Sequence, residues 1–218
     1  FTTKQEFAKI TPQPIHVITN GYDIETIEKP ALSTKFTISH IGSLLTKRNP
    51  RILWKALKEI LKENKQFRND FQLQLVGKVS SEIIDTIKEF KLDMYLNVIG
   101  YVSHTEALKY QRSSQVLLLI EIDSYETIGI IPGKLFEYMA AERPILAIGP
   151  LESDVERIIK DTNAGKYFNY DHLEEVKQYI LDCYQKYQQN DLKVHGIGLQ
   201  YYSRKKLTEK LAEVIKSI

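Results

Sequence analysis

Short apolar segments alternate with amphipathic segments along most of this 218-residue chain. Strand-like runs are predicted at residues 36–41, 71–76, 95–99, 115–120, 145–148 and 166–168. Helices are predicted at about residues 50–61, 80–90, 103–112, 134–142, 152–160, 171–189 and 197–218. Strands that alternate with helices at this spacing form βαβ units. The sequence therefore predicts an α/β fold, a three-layer sandwich around a mostly parallel sheet of about six strands.

Glycine follows each of the first three predicted strands, at Gly42, Gly77 and Gly100. Right-handed crossovers bring the carboxyl ends of parallel strands to one edge of the sheet, where such folds bind ligands. One glycine after a strand is ordinary, but three at one predicted edge indicate that the backbone approaches a ligand closely. We therefore expect the functional site at this edge, with His40 as a strand residue near it.

Composition and charge exclude several other classes of protein. The chain is 43% hydrophobic and 27% charged, which is typical of a globular protein with a sizeable core. A net charge of only +2 argues against a dedicated nucleic-acid binder. The single cysteine, Cys183, excludes an internal disulfide and favours a reducing, cytoplasmic compartment. We see neither a signal peptide nor an apolar run approaching about 18 residues.

The chain is large for one domain and small for two, so we expect one core with additions at both ends. Residues 1–35 look irregular and are predicted to be a linker, with a strand-like stretch at 15–18. Residues 36–196 form the predicted core domain, and residues 197–218 the last helix. The first residue is Phe1, not methionine, and we therefore expect a piece of a longer protein. Side-chain helix caps are expected at Ser81, Ser103 and Asp171.

The segment at residues 132–147 reads as a loop, a helix of two to three turns, a tight turn at Arg143-Pro144 and a buried strand. Lys134 and Glu137 lie three positions apart, on one helix face. Both belong to the first turn, where unpaired backbone N–H groups favour anions. A glutamate is ordinary there, whereas a lysine opposes the helix dipole. A bound phosphate would explain Lys134.

Motifs of other nucleotide, metal and hydrolase sites do not occur in the sequence. The loop at 42–47 has one glycine, so it lacks the G-x-G-x-x-G fingerprint, and no P-loop pattern occurs either. One cysteine and five scattered histidines assemble no zinc or iron set. No Gly-x-Ser-x-Gly elbow anchors a hydrolase triad. The remaining interpretation is nucleotide binding by basic loop residues, namely Arg48 after the first strand and Lys134, with Lys47 as a weaker candidate.

Three segments resemble one known family, the group 1 (family 4) glycosyltransferases with the GT-B fold, in which two Rossmann-like domains face each other across a cleft. Residues 16–23 are similar to the segment that leads into the C-terminal domain of that family. Residues 42–48 are similar to the loop where a basic residue meets the donor diphosphate. Residues 132–147 resemble the nucleotide-ribose motif P-x-K-L-x-E-Y-x-A-x-x-R-P-I-L-A, the most specific of the three. The resemblance implies the Rossmann-like C-terminal half of a GT-B fold.

The resemblance also implies roles for individual residues. Glu137 would accept hydrogen bonds from the ribose hydroxyls, while Lys134 and Arg48 would neutralise the diphosphate. Such cations stabilise the charge that grows on a nucleoside-diphosphate leaving group. The other expected donor contacts are Gly42, Ser43, Gly129, Ile130, Ile131, Gly133 and Leu135 around the phosphates and sugar, and Tyr101 and Val102 around the base. We assign no catalytic residue in this domain and expect no metal or other cofactor.

Three positions depart from the family pattern. Many members carry two glutamates eight positions apart, whereas Gly129 stands at the earlier position here. The candidate substitutes in the same loop are Glu121, Asp123 and Glu126. Ser43 replaces the basic residue that often follows the first-loop glycine. Glu142 replaces the usual glycine at a helix end where we predict a positive φ, which costs about 1 kcal/mol.

The implied function is the donor-binding domain of a nucleotide-sugar glycosyltransferase. By resemblance the transferase is retaining and acts on a polysaccharide, lipid-linked or other glycan acceptor. The acceptor-binding N-terminal domain is missing from this chain, so we expect the chain alone to transfer no sugar. Residues 1–35 would lead from that domain, and the helix at 197–218 would pack back toward it.

Two alternative functions stay open at this point. One is a GT-B-fold epimerase acting on a UDP-sugar, and the other is a degenerate nucleotide-binding or scaffold module. The basic last helix, with Arg204, Lys205 and Lys206, also suits a peripheral contact at the inner face of a membrane. The base, the donor sugar, the acceptor and the linkage are left open.

Overall fold

The computed structural model describes residues 1–23 and 30–217. Its strands are β1 (Phe36–Ile41), β2 (Phe71–Val76), β3 (Leu96–Gly100), β4 (Val116–Ile120), β5 (Ile145–Ile148) and β6 (Gly165–Phe168). They form one parallel sheet in the order β3-β2-β1-β4-β5-β6. The chain builds outward from β1 to β3 and then crosses to β4, which lies on the other side of β1. The predicted parallel six-stranded α/β sheet is confirmed.

Helices connect these strands. The described residues form α1 (Thr2–Ala8), α2 (Arg51–Glu63), α3 (Lys65–Asp70), α4 (Ser81–Glu89), α5 (His104–Ser113), α6 (Lys134–Ala140), α7 (Asp154–Thr162), α8 (Leu173–Gln188) and α9 (Arg204–Lys216). Every residue of β1, β4 and β5 is buried; β1 includes the buried polar residues Thr37, Ser39 and His40, whereas β4 and β5 are continuous apolar runs. The sequence pattern of these strands therefore follows from coverage on both faces.

Two hydrophobic clusters cover the two faces of the sheet. On one face, α2, α4 and α8 contribute residues such as Trp54, Ile83 and Ile180. On the other, α6 and α7 contribute residues such as Leu135 and Ile158. Burying each such side chain stabilises the fold by about 1.5–3 kcal/mol. The three predicted layers are therefore present, with the sheet between them.

The two ends of the chain differ from the prediction. Residues 2–8 form α1 although the sequence looked irregular there, and the stretch at 15–18 is not a strand. The last helix begins at Arg204, because Gly198 adopts a left-handed φ of +66° and the Ser203 hydroxyl accepts a hydrogen bond from the Lys206 N–H. Residues 24–29 of the predicted linker and residue 218 of the predicted last helix lie outside the described residues.

Local predictions at the helix ends have mixed outcomes. Ser103 and Glu106 form the predicted capping box at the start of α5. The Ser81 cap is wrong, because α4 begins after Ser80 and has no side-chain cap. The Asp171 cap is also wrong, because His172 precedes α8 and makes no capping bond.

Glu142 has a φ of +56°, as predicted from the glycine usual at this position. It follows α6, whose last residues are Ala140 and the C-cap Ala141. A glutamate in this left-handed conformation carries the steric cost that a glycine avoids.

Candidate functional site: the carboxyl edge of the sheet

Backbone hydrogen bonds hold the carboxyl ends of β1, β2 and β3 together. The Gly42 N–H donates to the Val76 carbonyl over 2.8 Å, and the Gly77 N–H donates to the Gly100 carbonyl over 2.7 Å. The three glycines have φ values of +117°, +113° and +80°. A Cβ on Gly77 would lie 2.6 Å from the Gly42 carbonyl oxygen. The three glycines therefore lie at one edge, as predicted.

A cavity of about 190 Å³ opens at this edge, where the loops after β1 and β4 meet. The order of the sheet reverses between these two neighbouring strands, and ligands bind at such switch points in parallel α/β folds. Polar lining residues are Ser43 and Arg48 from the loop after β1, Glu121 and Thr127 from the loop after β4, and Lys134 from α6. The structure thus brings together Arg48 and Lys134, the two cations that the sequence predicts for the diphosphate.

Lys134 opens α6 and is half-buried beside the β1 glycine. Its Nζ lies 3.2 Å from Nε2 of His40, and a Cβ on Gly42 would lie 2.8 Å from the same Nζ. Burial, followed by the nearby Arg48 cation, lowers the pKa of the Lys134 ammonium to about 8, while Glu137 acts in the opposite direction. The ammonium is therefore charged at neutral pH, although it is partly desolvated.

His40 lies beneath Lys134, fully buried at the end of β1. Its Nδ1 is 3.0 Å from the carbonyl oxygen of Leu118 in β4. Burial lowers the pKa of His40 well below its usual value, and the Lys134 cation lowers it further. The imidazole is accordingly neutral, and its two nitrogens join β4 to α6.

Glu121 forms the acidic wall of the cavity and is 5% exposed. Its carboxyl oxygens accept hydrogen bonds from the Ser153 hydroxyl at 3.0 Å, and Oε2 lies 2.7 Å from the Tyr167 hydroxyl. Burial raises the pKa of Glu121 to about 7, although both hydroxyls and Arg48 favour the ionised form. The side chain therefore changes its charge near neutral pH.

The Tyr167 hydroxyl also lies 2.7 Å from the carbonyl oxygen of Pro150. A hydroxyl has one proton, so it can donate to Glu121 or to Pro150 but not to both. When Glu121 is protonated, its O–H can donate to the Tyr167 oxygen, and Tyr167 can then donate to Pro150. The protonated carboxyl thus leaves each of these groups with a partner, while burial remains the main cause of the raised pKa of Glu121.

Glu137 lies one turn after Lys134 on α6 and is half-buried. Its Oε2 accepts a hydrogen bond from Nε2 of Gln111 in α5 over 2.9 Å. Within residues 1–23 and 30–217, Oε1 of Glu137 makes no hydrogen bond, and Oε1 of the buried Gln111 also has no partner. One carboxylate oxygen of Glu137 is therefore fixed, and the other keeps its acceptor capacity.

The other predicted contacts lie at different depths. The Tyr101 side chain is 93% exposed after β3, whereas Val102 packs against the hydrophobic cluster that contains α6. Ile130 is exposed and lines the cavity, and Ile131 packs partly against the same cluster. Gly133 is exposed directly before α6.

Among the predicted contacts, Glu137 lines a separate, smaller pocket of about 50 Å³, and Leu135 and Gly129 also lie outside the lining of the cavity. The Leu135 side chain is fully buried in the core, and its N–H donates to the Pro132 carbonyl. Contrary to the prediction, the Leu135 side chain therefore does not line the cavity. Gly129 lies beside Thr2 of α1, since an added Cβ would be 3.4 Å from the Thr2 Cβ.

Sequence reasoning placed His40 near this edge, but it missed Gln111 and Tyr167 and the contact of His40 with Lys134. No sequence pattern assigns a role to His40, and Gln111 and Tyr167 belong to no motif. His40 contacts Lys134, which is 94 positions away in the sequence. Gln111 contacts Glu137 at a separation of 26 positions, and Tyr167 contacts Glu121 at a separation of 46. Only the strand order brings such residues together, so no local pattern could have identified them.

Two further features of the described structure bear on other expectations. Among its helices, none is long and apolar enough to cross a membrane. Across residues 1–23 and 30–217, no group of three or more His, Cys, Asp or Glu side chains is placed to hold a metal ion. The expectation of a metal-free site stays a prediction.

A sequence model described as glycosyl transferases group 1 matches residues 35–186. This match covers most of the chain and includes β1, the cavity and the motif that opens α6. The chain belongs to the group 1 glycosyltransferases. A search of curated protein sequences found no match.

Solved glycosyltransferases share the fold of this group 1 glycosyltransferase chain. The lipopolysaccharide outer core galactosyltransferase WaaB superposes with a TM-score of 0.66 at 15% identity, over 98% of this chain and 59% of WaaB. A variant of S. aureus TarM, solved with UDP among its ligands, gives 0.65 at 16% identity, over 97% of this chain and 42% of TarM. Anabaena HepE in complex with UDP gives 0.59 at 14% identity, over 85% of this chain and 50% of HepE. The chain thus spans about half the length of these structures.

Proposed function

We propose that this chain binds the nucleoside-diphosphate part of a nucleotide-sugar donor at the carboxyl edge of its sheet. The convergence of Arg48 and Lys134 on one cavity at the switch point between β1 and β4 carries the proposal. A diphosphate carries several negative charges, and two cations in a partly desolvated cavity match it. Its oxygens would approach Lys134 over the glycine backbone of Gly42.

Glu137 supplies the second contact in this proposal. Its Oε2 is held by Gln111, so Oε1 is the oxygen that accepts from the ribose hydroxyls. A carboxylate accepts hydrogen bonds and does not donate them, which suits a pair of hydroxyl donors. Glu137 would thus fix the nucleoside while Lys134 fixes the phosphates one helical turn away.

In the proposed reaction, the bond between the anomeric carbon and the β-phosphate oxygen breaks, and the leaving nucleoside diphosphate takes the electron pair. An acceptor hydroxyl loses its proton to solvent, and its oxygen forms the new bond to the anomeric carbon. Arg48 and Lys134 stabilise the negative charge that grows on the β-phosphate oxygen. The described residues include a carboxyl, Glu121, in the wall of the same cavity. We propose that Glu121, in place of a glutamate at Gly129, contacts the donor sugar.

The UDP complexes of TarM and HepE support a uridine nucleotide as the first ligand to test. Since the chain spans about half of such structures, we propose that turnover also needs a second domain that binds the acceptor. In this proposal residues 1–35 belong to the connection, residues 36–196 bind the donor, and residues 197–218 face the partner domain. A retaining outcome, a glycan acceptor and a membrane contact through α9 stay predictions.

A panel of UDP, GDP, ADP and CDP, titrated against the chain by calorimetry and thermal shift, tests the proposal. A ligand at 100 times its dissociation constant stabilises the fold by about 2.7 kcal/mol. We expect one nucleotide to bind, and Lys134→Ala and Glu137→Ala each to weaken it by tenfold or more. Lys62→Ala, which removes an exposed lysine on α2, is the matched control and is expected to bind like the wild type.

Two results would contradict the proposal. One is the absence of binding by all four nucleotides at millimolar concentration, which would favour the scaffold alternative. The other is binding that survives both Lys134→Ala and Glu137→Ala. Affinity is also expected to fall above about pH 8, because Lys134 then loses the proton that attracts the diphosphate.

A further inference from the structure

We propose that His40 is a positioning residue for the diphosphate. Its neutral imidazole, with the proton on Nδ1, holds the Lys134 ammonium at the place where the phosphates bind. The inference rests on the proposed function and adds to it a residue that touches no substrate. Its physical basis is the chain of contacts from Leu118 through His40 to Lys134.

The two groups at hydrogen-bond distance from the ring nitrogens, the Leu118 carbonyl and the Lys134 ammonium, determine its tautomer. The Leu118 carbonyl oxygen can only accept a hydrogen bond, so Nδ1 at 3.0 Å must carry the proton. The Lys134 ammonium can only donate, so Nε2 at 3.2 Å must offer its lone pair. One tautomer, neutral and protonated on Nδ1, satisfies both contacts. The ring is fully buried, which keeps bulk water from replacing either partner.

This contact restricts where the ammonium can be. Nζ of Lys134 lies 3.2 Å from Nε2 of His40. It is also so close to the Gly42 backbone that a Cβ added to Gly42 would lie 2.8 Å from it. An ammonium has three N–H donors, and His40 occupies one of them. The remaining donors are available to phosphate oxygens. A lysine that is already ordered loses less conformational freedom when the ligand binds.

The charges around His40 favour this neutral form. The charged groups acting on the ring are Lys134 and Arg48, both cations, and the backbone carbonyls of Leu118 and Ser43 oppose them only in part. Protonation of Nε2 would remove the acceptor for Lys134 and place two positive groups in contact. The same cations that attract the diphosphate therefore keep the imidazole in the form that orients one of them.

Two amide substitutions distinguish the roles of the two imidazole nitrogens of His40, because each amide can replace only one of them. In His40→Gln the amide can replace Nε2 and offer an oxygen to Lys134. In His40→Asn the amide can replace only Nδ1, so the Leu118 contact is kept and the Lys134 contact is lost. We expect His40→Asn to weaken UDP binding about tenfold at pH 7, and His40→Gln to stay within about threefold of the wild type.

A double-mutant cycle tests whether His40 acts through Lys134. UDP affinity is measured by NMR titration for the wild type, His40→Asn, Lys134→Ala and the double variant. We expect His40→Asn to cause no further loss in the Lys134→Ala background, because its target is already gone. A purely structural defect would lower affinity in both backgrounds, and that result would overturn the inference.

The tautomer is measured on the wild type without any substitution, which covers the case of a variant that does not fold. A long-range ¹H–¹⁵N spectrum at pH 7 is expected to show His40 neutral with its proton on Nδ1. An imidazolium or a proton on Nε2 would overturn the inference. If the wild type binds none of UDP, GDP, ADP and CDP, the proposed function itself fails, and if it binds another of these nucleotides, the same variants are titrated with that one. If it binds UDP and His40→Asn binds equally well, only the role of His40 fails.

Discussion

Glu121→Gln tests the electrostatics of the cavity wall. Glu121 is almost completely buried, and its bonded neighbours are two hydroxyls, those of Ser153 and Tyr167, with no salt bridge to a cation among the described residues. A glutamine is the neutral isostere of the protonated carboxyl. Its amide can donate to the Tyr167 oxygen while its carbonyl accepts from Ser153. The variant therefore mimics the protonated side chain at every pH.

The expected magnitude follows from the pKa. Burial raises the pKa of Glu121 from 4.5 to about 7, so the folded chain holds this proton more tightly than the unfolded chain. At about 1.36 kcal/mol per pH unit, the difference corresponds to about 3 kcal/mol. This stabilisation is complete below about pH 4.5 and is lost as the pH rises through about 7. Glutamine has no proton to lose, so Glu121→Gln keeps its stability over the same range.

Urea denaturation at several pH values between 4.5 and 8 measures this difference. We expect the free energy of unfolding of the wild type to fall, relative to Glu121→Gln, by about 3 kcal/mol across the range. Glu126→Gln removes an exposed carboxylate from the same loop and controls for the loss of one negative charge. Parallel curves for the wild type and Glu121→Gln across the whole range would refute the reasoning.

Three further substitutions test the backbone and a cap, each by urea denaturation. Glu142→Gly is expected to stabilise the fold by about 1 kcal/mol, because φ is +56° there; an unchanged or lower stability would contradict this. Gly77→Ala is expected to destabilise it by more than about 1 kcal/mol, because its Cβ meets the Gly42 carbonyl at φ +113°; a neutral effect would contradict this. Ser103→Ala is expected to cost about 1 kcal/mol with the capping box lost, and Ser113→Ala at the far end of α5 is a contrasting control.

The strands and the position of the site could be predicted because their signals are local. A strand of this sheet is a short, largely apolar segment, and here three such segments are followed or ended by Gly42, Gly77 and Gly100. The right-handed crossover rule then places those ends at one edge. The same rule predicted that Arg48 and Lys134 converge, although 86 positions separate them in the sequence.

The missed elements lack such signals. α1 contains no buried residue, so no apolar periodicity marks it. Several residues near a helix start could act as its cap, and neither Ser81 nor Asp171 is the N-cap in the structure. The pairing of His40 with Lys134 and of Glu121 with Tyr167 depends on the order of the strands. Local patterns predicted the elements and the edge, whereas tertiary packing determined which side chains meet there.

The central claim is that a nucleotide binds at the carboxyl edge of the sheet, between the loop after β1 and the start of α6. Backbone amide chemical shifts of the ¹⁵N-labelled chain, recorded during a UDP titration, test it most directly. We expect the largest changes at Gly42, Ser43, Gly133 and Lys134, with small changes at Lys35 near the opposite edge. Changes concentrated at the amino edge or on α9, or no change with any of UDP, GDP, ADP and CDP at millimolar concentration, would contradict the account.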